Sequence, residues 1–168
     1  MNNKIIVAVD AMGGENSPKK VIDGIKLSLI ENKENLFKLY GNKDQLNILL
    51  NNTPEINDYC EIIHCENIVN DDESPLSAAK KSNSTSMWQS IESQKKGNSQ
   101  ISLSAGNTGA LLVLSRMILN MIDGVEKPAL AGLWPNKVGM NVVLDLGANI
   151  VCNDKNLVDF SYMGAALY

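Results

Sequence analysis

An apolar strand closed by a turn of small and polar residues occurs three times in this chain. Residues 5–9 (IIVAV) run into Asp10, Ala11, Met12, Gly13 and Gly14. Residues 100–103 (QISL) run into Ser104, Ala105, Gly106, Asn107, Thr108 and Gly109. Residues 142–144 run into Asp145, Leu146, Gly147, Ala148 and Asn149. Short apolar runs alternate with helical patterns along the rest of the chain, which predicts a parallel sheet with helices on both faces. The runs are continuously apolar, as strands covered on both faces must be. The expected fold class is therefore α/β, a layered sandwich around a mostly parallel sheet. Ligands of such sheets bind outside the carboxyl ends of the strands. Three such turns on neighbouring strands would line one crevice.

The remaining pattern fills in this frame. Strands are expected at 4–9, 36–40, 60–63, 100–103, 129–133 and 141–145. Ser17 and Pro18 read as an N-cap and first-turn pair, followed by Ile22, Ile25 and Leu29 at helical spacing. A short helix follows Asn42. The helix at 85–96 pairs Glu92 with Lys96 and stops at Gly97. The segment from Thr108 to Ile122 is a helix whose only polar stripe is Arg116, Asn120 and Asp123, which predicts burial on most sides. A last helix begins near Asn156.

A length of 168 residues fits a single α/β domain. A net charge of −4 argues against nucleic acid as a partner. The longest uncharged stretch, Gly97 to Ser115, is half Gly, Ser, Asn, Thr and Gln, so it is not a membrane span. The apolar run at 5–9 is too short for a signal peptide, which points to the cytoplasm. Cys60, Cys65 and Cys152 match no zinc spacing, so no metal and no cofactor is expected. His64 and Cys65 are adjacent, but neighbours on a strand face opposite ways, so they do not form a thiol–imidazole pair. Met87 and Trp88 read as core or interface, and Lys80, Lys81, Lys95 and Lys96 as a solvated face, or less simply as a patch for an acidic partner.

The second turn carries the most chemistry. Gly106 and Gly109 let the backbone approach a ligand. Thr108 and Gly109 open a long helix, whose first amides are unpaired and sit at the positive end of the dipole. Ser104, Asn107 and Thr108 add neutral donors. Together they suit a phosphate. The P-loop lysine is absent, and no Gly-x-Gly-x-x-Gly follows the first strand. The plain alternative is a strand–helix turn that uses glycine for geometry. Asp10 and Asp145 could hydrogen-bond a ligand or orient a loop; equally, they could cap local amides.

At these turns the sequence resembles the phosphate acyltransferase (PlsX) family of bacterial phospholipid synthesis. The family's Asp-Ala-Met-Gly-Gly-Asp is similar to residues 10–15, Ser-Ala-Gly-Asn-Thr-Gly-Ala to 104–110, Arg/Lys-Pro-Ala-Leu-Ala to 127–131 and Asp-Leu-Gly-Ala-Asn to 145–149. Its Ser-Ser-Met resembles Thr85, Ser86 and Met87. The chain departs from the pattern at Glu15 (an Asp in the family), Lys80 (usually Arg) and Val151 (usually an acid).

The resemblance implies a Rossmann-like α/β/α sandwich and a transferase of lipid and phospholipid biosynthesis. Its reaction takes an acyl group from acyl carrier protein to inorganic phosphate and makes acyl phosphate. It further implies a homodimer associated peripherally with the membrane through elements outside these residues. The chain ends at Tyr168 inside an apolar, helix-like run, which is expected of the N-terminal portion of a longer chain with an incomplete sheet. Two alternatives stay open: a non-catalytic half-domain, and a phosphotransacetylase-like enzyme acting on acyl-CoA. On the first reading, Ser104, Gly106, Asn107, Thr108 and Gly109 hold phosphate, joined by Asp10, Gly13 and Gly14 of the first turn. Asn149 and the amides of Gly147 and Ala148 face the developing oxyanion. Asp10 and Asp145 orient the loops. Asn107, Asp145 and Asn149 are the expected catalytic residues.

Overall fold

The computed structural model describes residues 4–168. The chain divides into two compact units, the first ending at Leu119 and the second running from Asn120 to Tyr168.

The first unit holds a four-stranded sheet of β1 (Ile6–Asp10), β2 (Leu36–Gly41), β3 (Cys60–His64) and β4 (Ile101–Ser104). All neighbours are parallel, in the order β3-β2-β1-β4. Its helices are α1 (Lys19–Glu31), α2 (Lys43–Asn51), α3 (Pro75–Lys81), α4 (Ser86–Lys95) and α5 (Thr108–Leu119). Strand alternation sorts the side chains to two faces. Val9, Phe37 and Leu39 pack with Ile22, Ile25 and Leu29 of α1 and Leu46 and Leu50 of α2. On the other face Ser102 of β4 meets Ser90 of α4, and α4 packs with α3 and α5 through Ala78, Met87, Ile91, Ala110 and Leu114. The expected α/β sandwich with helices on both faces is thus what forms. β4 is an edge of this sheet, and its Ile101 and Leu103 are about half exposed.

Several local expectations hold for plain physical reasons. Asn42 caps α2 by accepting from the amides of Asp44 and Gln45. Lys96 pairs with Glu92 at 2.8 Å, and Gly97 stops the helix at φ +73°. Two fail. The Ser17 hydroxyl does not cap α1; it donates to the Gly13 carbonyl at 2.6 Å, and Pro18 occupies the cap position. Helix α5 stops at Leu119, not Ile122, because Asn120 adopts φ +64°. Nor is α5 buried on most sides: Ala110, Leu114 and Ile118 form one buried stripe, and Met117 is half exposed.

The second unit contains β5 (Ala131–Asn136), β6 (Gly139–Leu144) and α6 (Asp154–Leu167). β5 and β6 pair antiparallel as their own two-stranded sheet. They are therefore not further strands of the parallel sheet. Only Lys137 and Val138 separate the paired Asn136 and Gly139, and a parallel return needs a dozen or more residues. Helix α6 begins two residues earlier than expected, because Asn153 and Asn156 form a capping box. Among the described residues, no helix is long and apolar enough to cross a membrane.

Candidate functional site

β1 lies between β2 and β4, so the strand order reverses at the β1–β4 seam. That is the switch point at which sheets of this kind open a crevice. Asp10 and Ser104 end the two strands and are register partners. The turns 10–14 and 104–109 therefore leave the sheet side by side. The third turn, 145–149, follows β6 of the separate hairpin, so the expectation of three neighbouring strands holds for two.

Asp10 is 2% exposed. Its Oδ1 accepts from the Ser86 hydroxyl at 2.6 Å and from the Met12 amide at 3.4 Å. Its Oδ2 accepts from the Ser104 hydroxyl at 2.8 Å. Burial pushes the carboxyl above its ordinary range, and the two hydroxyls and the amides of Met12 and Gly13 partly offset this. Ser104 Oγ in turn accepts from the Gly106 amide at 3.1 Å. The carboxylate thus ties β1, the start of α4 and the 104–109 turn together.

Glycine is needed here for two separate reasons. A Cβ on Gly13 would stand 2.6 Å from Asp10 Oδ2 and 2.9 Å from the Gly106 nitrogen, so the two turns touch backbone to backbone. Gly14 has φ +84°, and a Cβ there would lie 2.3 Å from the Ala105 carbonyl oxygen.

Helix α5 begins at this seam. Asn107 Oδ1 accepts from the Ala110 amide at 2.9 Å and caps the first turn. The amides of Thr108 and Gly109 lead the helix, where no intrahelical acceptor exists. The Asn107 amide group donates to the carbonyls of Asp71 (2.9 Å) and Glu73 (2.8 Å), so this side chain straps the segment before α3 to the start of α5. A Cβ on Gly109 would meet Pro75 Cγ at 2.9 Å. The strap is closed by the Glu73 carboxylate, which accepts from Lys81 at 2.7 Å and from the Ser77 hydroxyl at 2.9 Å. The Lys81 ammonium holds the Glu73 carboxyl below its usual range.

Asp10, Gly13, Gly14, Ser104, Gly106, Asn107, Thr108 and Gly109 therefore converge in the first unit. Asp145, Gly147, Ala148 and Asn149 form a self-braced turn in the second. Asp145 has φ +57° and its Oδ1 accepts from the Asn149 amide (3.2 Å) and side chain (2.9 Å). Asn149 Nδ2 also donates to the Pro128 carbonyl at 2.8 Å, and the Gly147 amide to the Asp145 carbonyl at 2.7 Å.

Sequence reasoning meets Ser86 only inside a family motif and missed both its contact to Asp10 and the strap at 71–75. The Thr85-Ser86 pair signals a helix start, and Thr85 does cap α4 by accepting from the Trp88 amide. Nothing local to Ser86 tells that its hydroxyl reaches a carboxylate 76 residues away.

The thiol–imidazole pair is absent, as expected: His64 Nδ1 accepts from the Lys43 amide at 3.3 Å, while buried Cys65 turns toward the Ile63 carbonyl. Burial pushes the Cys65 thiol up to about 12 and that of Cys60 up to about 11. Both are thus protonated and inert at neutral pH. Iodoacetamide at pH 8 should leave Cys60 and Cys65 unmodified in the native chain and label them after urea unfolding. Peptide mass spectrometry checks this; native labelling of Cys65 contradicts it. Met87 is fully buried in the core. Lys80, Lys81, Lys95 and Lys96 are exposed, with Lys81 paired to Glu73 and Lys96 to Glu92. Among the described residues, no group of three or more His, Cys, Asp or Glu side chains could hold a metal ion.

Comparison with known proteins adds an independent line. The family described as "Fatty acid synthesis protein" matches residues 5–168. A phosphate acyltransferase of Pelagibacter ubique is 51% identical over all 168 residues, which cover 50% of that protein. A phosphate acyltransferase of Rhodospirillum rubrum is 40% identical over 164 residues, covering 98% of this chain and 47% of that protein. One from Paramagnetospirillum magneticum is 36% identical over 164 residues, again 47% of its length. The chain spans about half the length of the curated relatives it matches.

Proposed function

The chain belongs to the fatty acid synthesis protein family, and from that premise we propose that the protein forms acyl phosphate from acyl-[acyl carrier protein] and inorganic phosphate. The observation that carries this reading is the seam of β1 and β4. Two glycine turns meet there at a topological switch point, and the leading amides of α5 open beside them. Phosphate sits against the amides of Thr108 and Gly109, with the Thr108 hydroxyl as a further donor. One phosphate oxygen attacks the thioester carbonyl, the new C–O bond forms, the C–S bond breaks, and the leaving thiolate takes a proton. The protein supplies no nucleophile in this scheme. Its contribution is position and donors aimed at developing charge.

Each remaining residue has a role in that scheme. Asp10 stays out of contact with phosphate, because its oxygens already accept from Ser86 and Ser104. Asn107 acts by position, since its amide holds the strap and its carbonyl caps α5. Gly13, Gly14 and Gly106 let the two turns close. In the second unit Asn149 and the Gly147 amide already donate within their own turn, which Asp145 braces. The protein works as a cytoplasmic homodimer at the membrane surface, and its acyl donor is bound to acyl carrier protein.

The test uses the full-length protein and traps acyl phosphate with hydroxylamine. Product should require both acyl carrier protein thioester and phosphate. Asn107→Ala combined with Gly106→Val should lower the rate by about a hundredfold. An unchanged rate removes the phosphate assignment. Faster turnover of acyl-CoA than of the carrier thioester supports the phosphotransacetylase-like alternative instead, and an active, monodisperse 168-residue chain rejects the non-catalytic half-domain.

A further inference from the structure

The first residue of α4 carries a side chain that its helix does not use. Thr85 already caps α4, and the Ser86 amide donates to the Asn67 carbonyl at 3.0 Å. The Ser86 hydroxyl is left to point inward, is 1% exposed, and donates to Asp10 Oδ1 at 2.6 Å.

Every donor and acceptor in this chain of hydrogen bonds has a fixed polarity. Ser86 donates to one oxygen of Asp10 and Ser104 donates to the other. Ser104 Oγ, its proton committed, accepts from the Gly106 amide. That last bond shapes the turn from which α5 starts. Without Ser86, the Asp10 carboxylate keeps the Ser104 hydroxyl on Oδ2 and, beside Oδ1, the Met12 amide at a long 3.4 Å with the Gly13 amide nearby. A buried carboxylate oxygen so poorly matched is costly. The group then turns toward the donors left beside it, the Met12 and Gly13 amides of the first turn and the Ser104 hydroxyl of the second.

We propose that Ser86 is a positioning residue for the phosphate turn, acting through Asp10 and Ser104 on where the Thr108 and Gly109 amides open. The proposal rests on the reading of that turn as the phosphate site.

Ser90 provides the control. It lies one turn further along α4 and is fully buried, and its hydroxyl donates to the Met87 carbonyl at 2.9 Å without touching Asp10. In the full-length protein, Ser86→Ala should raise the KM for phosphate about tenfold, the factor of one hydrogen bond to a charged group. Turnover at saturating phosphate should stay within about twofold. Ser90→Ala should leave the phosphate KM unchanged although it removes an equally buried hydroxyl. In an Asp10→Asn background, Ser86→Ala should add little, because the two act as one unit. If Ser86→Ala does not fold, Ser86→Cys, a weaker donor of similar volume, should raise the phosphate KM in its place. An unchanged KM in the Ser86 variant, or an equal rise in Ser90→Ala, overturns the proposal while leaving the reaction intact. A wild-type protein without phosphate-dependent turnover overturns the reaction, and this inference with it.

Discussion

Gly13→Ala should abolish phosphate-dependent turnover and cost the fold about 1–3 kcal/mol, the usual range for forcing a methyl into packed space. The added carbon would stand 2.6 Å from Asp10 Oδ2, 2.9 Å from the Gly106 nitrogen and 2.9 Å from Ser104 Oγ. None of these is the free end of a flexible chain. The carboxylate is held by two hydroxyls, and the nitrogen is backbone bonded to Ser104. Relief has to come from parting the two turns, which breaks the seam where α5 begins. Gly24→Ala is the contrast. Its Cβ would meet nothing within 4 Å, and it sits inside α1, so it should stabilise by about 0.5–1 kcal/mol with full activity. Melting curves and phosphate saturation curves on both variants check this. A Gly13→Ala protein with wild-type melting and activity shows that the turns do not touch as described.

Asp10→Asn should separate activity from stability. The amide offers one acceptor where the carboxylate offers two, and its NH2 faces a hydroxyl that was itself donating. One serine must turn, and either choice disturbs the 104–109 turn. Turnover per unit phosphate should fall about a hundredfold, as misplacements of this kind do. Stability should fall far less, because lost hydrogen bonds are offset by relief from burying a charge. The pH dependence comes from burial, which raises this carboxyl above 3.8 in the fold. Over the interval from 3.8 up to that raised value, the folded state binds more protons than the unfolded one, so stability falls as pH rises. The asparagine has no such proton. The advantage of wild type over Asp10→Asn should therefore be fullest in acid and shrink as pH climbs through that interval. Urea titrations at a series of pH values measure it; an advantage that grows with pH contradicts a raised carboxyl.

What is legible in the sequence is whatever is written locally. Ile22, Ile25 and Leu29 announce a buried face by spacing alone, and they are that face. Asn42 before a short helix and Gly97 after a longer one are punctuation with a fixed physical cause. The turns 10–14 and 104–109 are legible as the ends of strands, because small and polar residues after an apolar run close it, and the two strands are neighbours. The β5–β6 hairpin reads wrongly as two parallel strands because apolar runs do not declare their direction, whereas the two-residue gap between Asn136 and Gly139 does. Ser17 looks like a cap because serine before proline usually is one; here a carbonyl of the glycine turn takes its proton. Asn107 reads as a ligand donor, but its amide meets the carbonyls of residues 71 and 73, partners that only the folded chain brings near.

The register of the sheet also sets an order in time. Pairing of β1 with β2 joins Ile6 to Leu36, while pairing of β1 with β4 joins Val7 to Ile101. Nearer contacts close first, at lower loop entropy. During synthesis the chain can pair β2 with β1 and β3 with β2, and pack α1 and α2 on them, before β4 has left the ribosome. Through that interval β1 is an open edge, and Asp10 waits without Ser104. The 104–109 turn is thus the last part of the sheet to take shape, and a nascent chain that stalls before Ser104 has three of the four parallel strands and no β1–β4 seam.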